Sequence, residues 1–94
     1  MRLSKEKVSF LKSTVQSVDS HAKLYLFGSR VDDERRGGDI DILIVSEHFD
    51  REAKRALRLG FYEHFGEQKL DLLVDDGSFQ EPFHKIALEK GVQL

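Results

Sequence analysis

Apolar positions along the chain recur with two different periods, and each change of period marks a change of element. Over residues 4–18, Val8, Leu11, Val15 and Val18 fall at helical spacing. That predicts a first helix with Ser4 as its N-cap and with Leu3 and Val8 placed to form a hydrophobic staple. Asp19-Ser20 breaks the pattern. Lys23-Leu24-Tyr25-Leu26-Phe27 is rich in strand formers and ends at Gly28-Ser29, followed by a polar, highly charged loop over 28–38. Residues 40–45 read as a second strand. Asp50 is placed to cap a second helix whose stripe is Ala53, Ala56, Leu57, Gly60, Phe61, His64 and Phe65, with Gly66 as its stop. Residues 70–74 predict a third strand. Ser78-Phe79-Gln80-Glu81 has a capping-box pattern that would open a helix running to about Glu89, with Gly91 beyond it and Val92-Gln93-Leu94 as a short edge strand.

The resulting order, α-β-β-α-β-α, predicts an α/β or α+β domain over 1–94, a small mixed sheet with helices packed on one face. Apolar runs of only a few residues exclude a helical membrane span. The polar N-terminal segment reads as lacking a secretory leader, so a cytoplasmic protein is expected. With no cysteine, a disulfide framework, a thiolate nucleophile and cysteine-based metal sites are excluded. A net charge of −2 disfavours a polyanion-binding module, so nucleic acid is an unfavoured partner.

Candidate chemistry concentrates on the second and third strands. Side chains alternate across a strand, so Asp39, Asp41 and Leu43 share one face while Ile40, Ile42 and Ile44 share the other. The isoleucines require a core, which leaves the two carboxylates on the opposite face, roughly 6.6 Å apart at Cα. Leu70, Leu72 and Val74 repeat the buried face, and Asp71 points the other way. If the two strands are neighbours, Asp71 lies beside the Asp39/Asp41 pair. Each carboxylate pair at about 4 Å then costs on the order of 4 kcal/mol at an effective dielectric near 20, so a proton or a cation must offset it. Oxygen-only ligands favour Mg2+ or Mn2+. Gly28-Ser29 can bring backbone N–H groups and a hydroxyl to phosphate oxygens, and Arg30, ahead of Arg35 and Arg36, can neutralise them.

The string Gly28-Ser29, then Asp39-Ile40-Asp41, with Asp71 on a later strand, resembles the nucleotidyltransferase superfamily that includes DNA polymerase beta. The chain looks most like its minimal branch, whose members include antitoxins. The resemblance spans the opening helix, Leu-Phe-Gly-Ser-Arg, the aspartate strand, Leu-Asp-Leu-Leu and the closing helix. It implies that Asp39 and Asp41 bind two Mg2+ ions (Mn2+ as a substitute), that Asp71 completes the metal and catalytic site, and that Gly28, Ser29 and Arg30 hold ATP. The departure is Val31-Asp32-Asp33-Glu34 and Gly38, where the family commonly has a small residue, a base and a glycine, and then a serine. An acidic run is the wrong sign for a phosphate-facing loop.

The resemblance further implies an enzyme that transfers AMP from ATP to a tyrosine hydroxyl of a small helical HEPN-domain partner, as the antitoxin of a toxin–antitoxin pair. The alternative is a weakly active or inactive module that neutralises its partner by contact alone. Transfer to an antibiotic or to nucleic acid would normally need an added acceptor domain or a basic groove. Outside the aspartates, Asp75-Asp76-Gly77 reads as a turn, the four histidines as scattered, and the aromatic residues mostly as core. Arg51, Lys54, Arg55 and Arg58 make one helix face basic: most simply a solvated face, more sharply a docking surface for an acidic partner.

Overall fold

The structure is a computed structural model that describes residues 3–28 and 39–94. Its elements are α1 (Lys5–Val18), β1 (Lys23–Phe27), β2 (Ile40–Val45), α2 (Arg51–Phe65), β3 (Leu70–Asp75), α3 (Pro82–Lys90) and β4 (Val92–Gln93). Ser4 caps α1 by accepting from the Lys7 N–H at 3.3 Å. Asp50 caps α2 by accepting from the Ala53 N–H at 2.9 Å, and Gly66 ends that helix with φ 82°.

The four strands form one mixed sheet in the order β3-β2-β1-β4. β2 pairs antiparallel with β1 and parallel with β3, and β4 pairs antiparallel with β1. The parallel β2–β3 pair is joined through α2, the crossover such a pair requires. Alternation then sorts the side chains. Leu24, Leu26, Ile40, Ile42, Ile44, Leu70 and Leu72 bury one face against Leu11 and Val15 of α1 and Leu57 and Phe61 of α2. Truncating any of the fully buried ones to alanine would cost about 2–5 kcal/mol. Val18, at the last turn of α1, and Ala56 on α2 fall outside this core and are exposed, although the period placed both on the apolar stripe.

The expectation that the helices share one face holds for α1 and α2 and fails for α3. Ala87 and Leu88 of α3 pack on the other face with Phe27, Leu43, Tyr25, Val45 and Leu73. The reason is compositional: the odd positions of β1 and β2 are largely apolar too, and Leu43 is fully buried only because α3 covers it. α3 also begins later than the capping-box pattern suggested. Ser78 Oγ donates to Asp76 Oδ1 at 2.6 Å instead of capping a helix, and Phe79 takes φ 52°. The helix therefore starts at Pro82, whose missing N–H and fixed φ suit a first turn. No helix among the described residues is long and apolar enough to cross a membrane.

Candidate active site

Strand register places Phe27, Asp41 and Asp71 in one row across β1, β2 and β3. The next row on the same face is Tyr25, Leu43 and Leu73, which α3 covers. α3 thus seals half of this face and leaves the aspartate row open. The adjacency of the second and third strands, on which the site depends, is present.

Asp41 and Asp71 are both half-buried, and their side chains share a hydrogen bond. Such a bond between two carboxyl groups needs one of them protonated, which is favoured here only below about pH 6. The Asp41 carboxyl is accordingly raised from 3.8 to about 6. Burial is the largest cause, followed by the Asp71 hydrogen bond and the charges of Asp71 and Asp39, with Lys69 opposing. Asp39 sits just before β2 and pairs with Lys69 at 3.8 Å, the lysine exposed and the aspartate half-buried. The three aspartates therefore stand as a contacting pair with a third arm held aside on a lysine. Among the described residues no group of three or more His, Cys, Asp or Glu side chains is gathered closely enough to hold a metal ion. Lys69 offsets the charge of Asp39, while the repulsion among the carboxylates persists in the raised Asp41 value.

The Asp41–Asp71 pair still fits a hard divalent cation. Both donors are carboxylate oxygens on register-paired residues, and their mutual repulsion, which raises the Asp41 carboxyl, is what a cation between them would relieve.

Gly28 follows β1 with φ 76°, and a Cβ there would overlap the Asp41 carboxylate, lying 3.0 Å from its Cγ. Glycine is required here twice over, by backbone conformation and by close approach. The predicted phosphate residues Ser29 and Arg30, and the acidic run 32–34, lie outside the described residues.

The aspartate row floors a cleft of about 360 Å3 lined also by Leu72, Leu73, Arg58 and Phe83. Sequence reasoning missed three of its walls. Phe83, grouped with the core aromatics, is 53% exposed and stands edge-on to Phe27 at 6.1 Å between ring centroids. Phe27 reads as a core residue in the sequence, and its place in the aspartate row follows only from the register. Arg58, read with a solvated face, reaches the β3 edge and donates from Nε to the Leu70 carbonyl at 3.2 Å. Asp75, read as a turn residue, is buried at the far end of β3. It accepts from the Gly77 and Phe79 N–H groups at 2.7 and 3.0 Å and pairs with His84 Nδ1 at 2.9 Å. That pair fastens α3, and with it Phe83, to the sheet.

Of the residues the sequence resemblance singled out, the structure brings Asp41, Asp71 and Gly28 together, leaves Asp39 on Lys69, and does not describe Ser29 and Arg30. The family described as nucleotidyltransferase domain matches residues 5–93. The chain belongs to that family. Its three helices and four-stranded mixed sheet are consistent with a minimal nucleotidyltransferase of the polymerase beta superfamily, and its general activity is nucleotidyl transfer. No curated protein matches the chain.

Proposed function

We propose that this nucleotidyltransferase moves AMP from ATP to a tyrosine hydroxyl of a small helical HEPN-domain partner, as a cytoplasmic antitoxin. The observation that carries the site assignment is the Asp41–Asp71 pair in register on adjacent strands, open to solvent between Gly28 and Arg58. The acceptor oxygen forms a bond to the α-phosphorus while the bond to the bridging oxygen breaks, and pyrophosphate leaves with the electron pair. Asp71 receives the hydroxyl proton. Gly28, Ser29 and Arg30 hold the phosphates. Asp41 and Asp71, joined by Asp39 once it leaves Lys69, would hold Mg2+ or Mn2+, which supplies neutralisation of phosphate charge.

The test is intact mass of a HEPN-domain protein incubated with the chain and Mg-ATP. The expected result is a gain of one nucleoside monophosphate, lost with Asp71→Asn and with removal of divalent cation. An unchanged mass under conditions where the two proteins bind would overturn it. A second reading, neutralisation by contact alone, is favoured by the Asp39–Lys69 pair, which holds one expected ligand away from the other two. It expects binding that survives Asp39→Asn with no change in the partner's mass.

A further inference from the structure

We propose that the basic stripe of α2 is the docking surface for an acidic segment of the acceptor protein, seated so that an acceptor side chain enters the cleft beside Asp71. This rests on the transferase reading above and names the chemistry of its partner. Positions 51, 54, 55 and 58 fall within about 100° of arc on a helix of 3.6 residues per turn, so Arg51, Lys54, Arg55 and Arg58 form one ridge about 10 Å long. Arg51 and Arg55 are exposed, and Lys54 and Arg58 are half-buried. Among the described residues the ion pairs are Lys69 with Asp39 and His84 with Asp75, so no described carboxylate answers these four charges. The N-terminal end of the helix dipole adds to the same sign at Arg51.

The ridge is continuous with the site. Its last member, Arg58, is fixed by the Leu70 carbonyl and lines the cleft with Asp41 and Asp71. Strand order places Gly28 on the β1 side of the carboxylate pair and Arg58 on the β3 side. If phosphates lie toward Gly28, the Arg58 side is where an acceptor approaches, with Phe27 and Phe83 as an apolar wall for the side chain it inserts. Four clustered positive charges on a chain of net charge −2 suit a short acidic segment, whereas a long polyanion would meet the negative remainder.

The test is fluorescence anisotropy with a short dye-labelled Glu/Tyr peptide, without nucleotide. Wild type should bind it, more weakly as salt rises, and more tightly than a Lys/Tyr peptide. Arg51→Glu/Arg55→Glu should weaken binding about tenfold or more, whereas Lys5→Glu/Lys12→Glu on α1 should leave it unchanged. Both positions of the α2 variant are exposed, so an unaltered thermal midpoint confirms that the fold is intact. Equal binding by the α2 variant overturns the proposal. So does a single-stranded oligonucleotide that displaces the peptide and itself depends on Arg51 and Arg55, an outcome that assigns the ridge to nucleic acid. Peptide binding that depends on the ridge in a chain that shows no binding of Mg-ATP would retain the docking surface and overturn the transferase site.

Discussion

Asp41 and Asp71 are register partners on adjacent parallel strands, and burial together with the neighbouring Asp71 carboxyl pushes the Asp41 carboxyl up to about 6. Asp41 titrates near 3.8 in the unfolded chain and at about 6 in the folded one. The folded state therefore holds the extra proton between those values, and stability falls as pH rises through that window. Asp41→Asn should match wild type near pH 3.8 and surpass it from about pH 6 upward. After discounting for solvent screening of a half-exposed pair, the gain is about 1–2 kcal/mol, or roughly 4–8 °C per kcal/mol of thermal midpoint. Thermal unfolding in a pH series without divalent cation checks this.

Gly28→Ala should act in the opposite sense. A left-handed φ costs a non-glycine residue about 1–2 kcal/mol, and the added methyl meets the Asp41 carboxylate. Chemical denaturation should show a loss of at least that size. Asp41→Asn should not rescue it, because the asparagine fills the same space.

The Asp75–His84 pair offers a third test. Burial raises the Asp75 carboxyl, but the His84 bond and the Gly77 and Phe79 N–H groups outweigh it and hold the group below its ordinary value of 3.8. A lowered folded value contributes stability above the unfolded value and loses it as pH falls. Asp75→Asn should be less stable than wild type at pH 7 by about 1–3 kcal/mol, and the gap should close in acid below about pH 4. Hydrogen exchange should locate the loss in α3.

Phe83→Ala separates the cleft from the core. Phe83 is 53% exposed, so stability should fall by little more than about 0.5 kcal/mol. Transfer to an acceptor should nonetheless fall, as a rise in the acceptor KM with nucleotide binding unchanged.

Much of this architecture is legible in the sequence, because alternation in β2 and β3 is strict enough to place Ile42 and Leu72 inward and Asp41 and Asp71 outward. The caps Ser4 and Asp50 follow from local chemistry alone. What local chemistry cannot supply is which long-range partner wins. Ser78 has a capping-box neighbour in sequence but bonds Asp76, and Pro82 sets the helix start. Leu43 and Tyr25 face the aspartate side, yet only the placement of α3 decides that this face is half covered. Asp39 was grouped with Asp41 by strand period, but it lies just outside β2 and reaches Lys69 instead. Arg58 and Phe83 look like surface and core in one dimension, and both become walls of the cleft once β3 and α3 are packed.

On this reading the Asp41–Asp71 pair binds a metal-nucleotide. The most direct measurement is the thermal midpoint with and without Mg-ATP, for wild type and for Asp71→Asn, each referred to its own ligand-free value. At about 100 times the dissociation constant, wild type should gain about 2.7 kcal/mol, and the variant should lose that gain. The shift should also vanish when the divalent cation is chelated. A wild-type midpoint unmoved by any nucleoside triphosphate with Mg2+ or Mn2+, or a shift of equal size in Asp71→Asn, would contradict the account.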